Sequence, residues 1–309
     1  MLEPAVVALR LLQYLGAMIL LGSSLFLLYA PPGLRAGQAA ALRWARPLLL
    51  AAGAALAIAS LLQIAAQSIA LSGSFAEGLK RETLEAVVAY MPQGKAALAR
   101  AAAAILAMLA LLLVPAGRLR LGIAAGFGAA ATVSLVWMGH AAATEGALGP
   151  LHRLSDGLHV LAAAVWIGAL AAFLALLLAR PRSAEAQHAL HTALAGFAGV
   201  GTAAVAVLLA TGAVNSWILV GPDRIASLWT TPYGRLLALK VVLFLAMLGF
   251  AAANRYRLTP ALARSLARTR DADAELAALR RSLTVEATLG VGVLLLVAWF
   301  GTLAPPAAG

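Results

Sequence analysis

Long stretches of the chain carry few charges or none, and they recur at intervals that fit a membrane. Eight apolar runs lie near residues 5–29, 47–71, 96–114, 121–140, 151–179, 195–220, 233–253 and 282–303. A hydrocarbon layer of about 30 Å needs roughly 20 residues of helix, so each run is long enough to cross it. Pro, Gly and charged residues punctuate the runs. Together they take up well over half of the 309 residues, which leaves no room for a separate soluble domain of ordinary size. The expectation is an all-α fold, a polytopic transmembrane bundle of about eight helices that forms a single integral membrane domain over residues 1–309, with the lipid bilayer as its surroundings. The first run has no basic segment before it and no small-residue cleavage site followed by soluble sequence, so it reads as a retained helix and not a signal peptide.

Composition agrees with the pattern. Hydrophobic residues make up 63% and charged residues 11%, against about 25% charged in an ordinary soluble domain, and a water-soluble globule is excluded. The net charge of +11 would suggest nucleic acid in a soluble protein. Here the basic residues fall in short blocks between apolar runs and are not spread along one exposed face, so no nucleic-acid partner is expected. The blocks report orientation instead, because Lys and Arg in short loops stay on the cytoplasmic side. The odd-numbered connections hold fourteen basic residues: Arg35, Arg43, Arg46, Arg118, Arg120, Arg180, Arg182, Arg255, Arg257, Arg264, Arg268, Arg270, Arg280 and Arg281. Eight lie in or beside the even ones: Lys80, Arg81, Lys95, Arg100, Arg153, Arg224, Arg235 and Lys240. Both termini are therefore expected outside, on the periplasmic side. The long connection from Asn254 to Arg281 places Asp271, Asp273 and Glu275 near arginines at helical spacing and predicts a short surface helix. Glycines cluster at Gly122, Gly126 and Gly128 and at Gly196, Gly199 and Gly201, where close helix packing is expected.

In so apolar a chain the intramembrane polar residues carry the functional information. The richest segment runs from Trp137, Met138 and His140 at the end of the fourth run, through Thr144 and Glu145, to His152, Asp156 and His159 at the start of the fifth. The connection is short, so the two runs are expected to be antiparallel neighbours with His140 and His152 at one surface. His152, Asp156, His159 and Trp166 fall at helical spacings that place them on one inward stripe. Two turns, roughly 10 Å, separate His152 from His159, too far for one ion unless the helix begins after His152. Two successive stations fit better. Met138 and His140 lie about 200° apart on a regular helix and converge only if it unwinds at Gly139. With no cysteine in the chain, a transition-metal site must draw on His, Met, carboxylate or backbone. Imidazole and thioether both suit copper, and the soft thioether favours Cu(I) over Cu(II). The candidate ligands are His140, His152, His159 and Met138. The alternative is structural: His159 bonding between helices, Asp156 offsetting Arg10 or Lys240. Lys240 can snorkel outward, Gln63, Gln67, Asn215 and Asn254 can bond between helices, and Glu286 stands near Arg281. His188 and His191 are either exit ligands or part of a solvated helix start.

The same residues resemble the copper resistance protein D family of bacterial inner-membrane proteins. The resemblance is carried by TPYGRLLALK from Thr231 to Lys240, NRYRLTP from Asn254 to Pro260, LRRSLTVE from Leu279 to Glu286 and GTLAPP from Gly301 to Pro306. It extends to TGAVN from Thr211 to Asn215, LHVLAAAVWIG from Leu158 to Gly168, the Gly139, His140, Ala141 element, and Arg10 to Phe26 with Gly22. It spans nearly the whole chain and is strongest over 120–306. It implies a multi-pass protein of the bacterial inner membrane, eight helices, and copper passage from periplasm to cytoplasm. A separate periplasmic CopC-like copper-binding protein is the implied partner. On this reading His140 and His152 capture copper, with Met138 and Glu145 nearby; His159 receives it, Asp156 orients an imidazole, and Trp166 shapes the path. Two other readings stay open: a haem b-type membrane cytochrome, and a non-transporting scaffold that delivers copper for oxidase assembly. No motif for a nucleophile, an acid–base pair or a nucleotide site is present, so an enzyme is not expected.

Overall fold

The computed structural model describes residues 3–30, 43–179, 181, 183–268 and 272–308. Arg35, Arg180, Arg182, Arg270 and Asp271 lie outside the described residues. Among those described there are helices and turns and no strand. The long helices are α1 (Glu3–Tyr29), α2 (Ala45–Ser72), α4 (Pro92–Leu113), α5 (Arg118–Val133), α6 (Leu148–Leu178), α7 (Ala184–Val220), α8 (Pro232–Ala253) and α10 (Asp273–Phe300), with the shorter α3 (Arg81–Tyr90) and α9 (Thr259–Arg268) between them. Counting the 3₁₀ turn that extends α5 and the segment that joins α8 to α9, eight spans are long and apolar enough to cross a membrane. An even number of crossings returns the chain to its starting side. That side is called the terminal face below, and the other the opposite face.

Two helices organise the bundle. α1 packs on α2, α5, α6 and α10, and α6 packs on α1, α7 and α10, so both are covered on most sides. They meet backbone to backbone: a Cβ on Gly22 would collide with the Ala164 carbonyl, and one on Gly168 with Gly22 itself. Ser23 Oγ donates to the Gly168 carbonyl at 2.8 Å across the same contact. Small residues let helices approach in lipid, where apolar burial alone gives no preference for protein over solvent. The expected glycine clusters behave differently. Gly128 abuts Leu21, but a Cβ on Gly122, Gly126, Gly196 or Gly199 would meet nothing, and Gly201 faces only Phe197 of its own helix. Within this chain those glycines bring no two helices together, because their face of the helix is turned away from the bundle.

The fourth run departs from the regular helix expected to His140. The α-helix ends at Val133, a 3₁₀ turn covers Ser134–Met138, and Gly139 is extended (φ −105°, ψ −173°) before a second short turn at His140–Ala142. Arg100 of α4 explains the break. Its side chain is 1% exposed, and it donates from Nη2 to the Ser134 carbonyl and from Nε to Ser134 Oγ, both at 2.9 Å, while Nη1 bonds Gln13 Oε1. A buried guanidinium needs acceptors, and the tightened turn supplies a carbonyl. Arg100 is thus a structural cation and not the loop charge its position suggests. At the other end, α8 passes through a π turn (Asn254–Leu258) directly into α9, a short helix within the expected segment, while Asp273 and Glu275, whose spacing points to it, open α10 instead. Leu262 and Leu266 of α9 are buried, and Arg264 and Arg268 are exposed.

Candidate functional site

α6 begins at Leu148, before His152, so His152, Asp156, His159 and Trp166 stand on one continuous helix. The expected stripe is present: all four line a single cavity of about 360 Å³ enclosed by α1, α6, α7, α8 and α10. His140 joins them because the chain breaks at Gly139 and turns its imidazole inward. His152 and His159 remain two turns apart, roughly 10 Å. Among the described residues no three His, Asp or Glu side chains are grouped closely enough to hold one ion together. The three histidines are spread along the cavity and do not converge on one point.

Each imidazole has one nitrogen engaged. Thr211 Oγ1 gives its single hydrogen to the Val207 carbonyl at 2.6 Å and so accepts from His159 Nδ1 at 2.8 Å. Thr144 Oγ1 donates to the His140 carbonyl at 3.2 Å and accepts from His152 Nδ1 at 2.7 Å. His140 Nε2 faces the Phe300 carbonyl at 3.4 Å, which can only accept. Hydrogen bonding at one ring nitrogen fixes the tautomer and leaves the other as a lone pair. His159 and His152 are left with Nε2, and His140 with Nδ1. None of these free nitrogens has a hydrogen-bond partner among the described residues. For His140, outside the spanning helices, burial pushes the pKa below the ordinary imidazole value; the Phe300 carbonyl opposes this and the Arg10 charge adds to it. Its ring stacks edge-on against Tyr233 at 5.6 Å.

The cavity holds three charged groups. Arg10 is 6% exposed, and its Nε and Nη2 make no hydrogen bond. Lys240 reaches outward over the Phe300 ring at 5.8 Å. Asp156 accepts from Asn215 Nδ2 at 3.4 Å and forms no ion pair with Arg10 or Lys240 among the described residues. Asp156 and Lys240 still act on each other electrostatically across the space.

Two expected contributors stand elsewhere. Met138 packs against the apolar core and is not among the cavity residues, and Glu145 is exposed. The thioethers that do reach the cavity wall are Met18 of α1 and Met247 of α8, both buried. Neither is marked by its spacing, since each sits in an apolar run as an ordinary core methionine would. Below His159, Trp166 Nε1 donates to Glu286 Oε1 at 2.8 Å, and Asn254 Nδ2 donates to Glu286 Oε2 at 2.8 Å. Glu286 is therefore tied to Trp166 and Asn254 and not to Arg281. Gln67 bonds Gln93 away from the cavity. His188 is exposed and bonds its own helix at Ala184, and His191 lies one turn on, at the opposite-face end of α7.

Comparison with known proteins places these features in context. Residues 191–300 match the family profile described as copper resistance protein D, and residues 1–150 match that of the copper resistance protein D-like N-terminal domain. The stretch between them carries His152, Asp156, His159 and Trp166. The chain is 35% identical to copper resistance protein D of Pseudomonas syringae pv. tomato over 98% of its own length and 97% of that protein's. It is 28% identical to copper transport protein CutJ of Bacillus subtilis (strain 168) over 99% of the chain and 54% of CutJ. Inner membrane protein YebZ of Escherichia coli (strain K12) is 34% identical over 41% of the chain and 42% of YebZ. No solved structure matches.

Proposed function

The chain belongs to the copper resistance protein D family, and from that premise we propose that it is a bacterial inner-membrane protein that takes copper from the periplasm and moves it toward the cytoplasm through the cavity lined by His140, His152 and His159. One observation carries the reading: three imidazoles face one cavity, and each has its second nitrogen committed to a protein acceptor. That is the arrangement by which proteins hold histidine as a metal ligand, and it is more than three core histidines need.

Stations in series suit passage better than storage. His140 and His152 stand at the terminal face and His159 two turns deeper, so copper held by few ligands at each step can move on. Asp156 offsets part of the ion's charge. Arg10 and Lys240 raise the energy of a cation in the cavity in proportion to its charge, which favours Cu(I) over Cu(II). Buried thioethers at Met18 and Met247 favour the same ion. The terminal face is assigned to the periplasm from the basic residues at the opposite face. Arg100 and Lys240 are turned into the protein, which strengthens the asymmetry read from the loops. A separate CopC-like periplasmic copper-binding protein would deliver to His140 and His152. The reading assigns the chain binding and passage, with no chemical conversion of a substrate.

Right-side-out inner-membrane vesicles containing the protein should accumulate copper. His159→Ala should abolish accumulation while leaving the folded protein in the membrane. Unchanged accumulation by that variant would remove His159 from the path. Copper bound in stoichiometric amount without any accumulation would instead favour delivery to another protein.

A further inference from the structure

The path as described ends at Trp166, and the next ionisable group toward the opposite face is Glu286. We propose that Glu286 exchanges a proton for the copper ion as it leaves the cavity, so that copper passage is a copper–proton antiport. The proposal rests on the uptake reading above and adds its coupling.

Glu286 is 2% exposed and lies in the fourth turn of α10. Its two oxygens accept from Trp166 and Asn254, both neutral donors. Around it α6 presents Trp166 and the π turn presents Asn254; among the described residues no charged group on α1, α6, α8 or α9 acts on it. A carboxylate buried at membrane depth without a countercharge costs several kcal/mol. It needs a positive partner, and only two kinds can reach it: a proton, or the cation that the protein carries. Asp156 and Glu286 are the two acidic side chains away from the ends of the candidate membrane-spanning helices among the described residues, and Asp156 already faces Lys240 across the cavity.

The position fits a gate. Trp166 lines the cavity seven residues below His159 on the same stripe and donates to Glu286, so the carboxylate stands directly behind the cavity floor. Asn254, on its other oxygen, opens the π turn where α8 gives way to α9 at the opposite face. π turns recur at functional sites because their irregular hydrogen bonding allows local change. The triad also accommodates both states of the acid. As an anion, Glu286 accepts two hydrogen bonds. When it is protonated, its O–H needs an acceptor where Asn254 now donates, and Asn254 Oδ1 has no partner; a flip of that amide supplies one. Copper arriving at Glu286 displaces the carboxyl proton, which leaves to water on the side the copper came from; copper then dissociates to the opposite side as a proton from that side re-forms the O–H bond, so one proton counter-moves for each Cu(I) with no net charge transferred.

The test uses full-length protein in sealed proteoliposomes with a lumenal pH dye, with Cu(I) buffered by a weak soluble ligand outside. Wild type should show a lumenal pH rise that follows copper uptake and persists when the membrane potential is clamped. Glu286→Gln should bind copper as wild type does yet lose both uptake and the pH rise, because Gln keeps the Trp166 bond and can donate to a flipped Asn254. Wild-type uptake with no pH change, or an unaltered pH rise in Glu286→Gln, overturns the coupling and leaves the uptake reading intact. If wild type takes up no copper, the uptake reading fails and the coupling falls with it. Should Glu286→Gln not fold, the wild-type pH trace decides alone.

Discussion

At the scale of single residues, Thr211 decides which nitrogen of His159 is left without a hydrogen bond, and on the proposed reading that nitrogen is the metal ligand. Its hydroxyl hydrogen goes to Val207, so it offers His159 only a lone pair. Thr211→Val keeps the shape and removes that acceptor. Loss of such an orienting partner costs roughly 10- to 100-fold in metal affinity, and competition with a Cu(I) chelator should show a weakening of that order, restored by Thr211→Ser. An unchanged affinity would mean that His159 Nε2 is not a ligand. The histidines themselves are legible in the sequence, because ionisable residues in apolar runs stand out and the spacing from His152 to Trp166 places them on one stripe. Thr144 stands in the same polar segment, but the partners of the other two are not marked. Thr211 lies on α7, and Phe300 reaches His140 through a backbone carbonyl that no residue type advertises. Met18 and Met247 go unread because a methionine in an apolar run has a bland explanation, and only three-dimensional proximity separates the two in the cavity wall from Met138 in the core.

At the scale of elements, the break in the fourth run is what turns His140 toward the cavity, and Arg100 maintains it. The sequence reading identifies Gly139 as the place where a helix would have to unwind, but it gives Arg100 to a loop. An arginine near the start of an apolar run looks like a snorkelling interface residue, and its acceptors come from α1 and α5. Arg100→Met should leave the Ser134 carbonyl and Gln13 without their donor, at about 1–3 kcal/mol for each buried group left unpaired. The expected result is a lower thermal unfolding midpoint in detergent together with loss of the copper that depends on His140. A variant with wild-type stability would show that the turn holds without the guanidinium. The crossing of α1 and α6 at Gly22 and Gly168 is a second such element. Both glycines fall within motifs carrying the family resemblance, yet the more conspicuous glycine clusters mostly turn outward, because composition cannot say which face of a helix meets another.

At the scale of the molecule, the number of spans, the all-helical class and the return of the chain to its starting side are legible from the apolar runs alone. Bilayer thickness sets their length, and backbone hydrogen bonding in lipid leaves only helices for runs of this kind. The series from His140 and His152 through His159 to Trp166 is legible as a stripe, but the cavity that encloses it arises from five helices distant in sequence, and its continuation to Glu286 emerges only in the assembled bundle. That series is the central claim, and copper X-ray absorption with metal analysis tests it most directly, comparing purified wild type with His140→Ala and His159→Ala. The account predicts copper with imidazole ligation in the wild type and loss of part of that ligation in each variant, His140→Ala emptying the outer station and His159→Ala the inner. Copper absent from the wild type, or a spectrum indifferent to both substitutions, would contradict it.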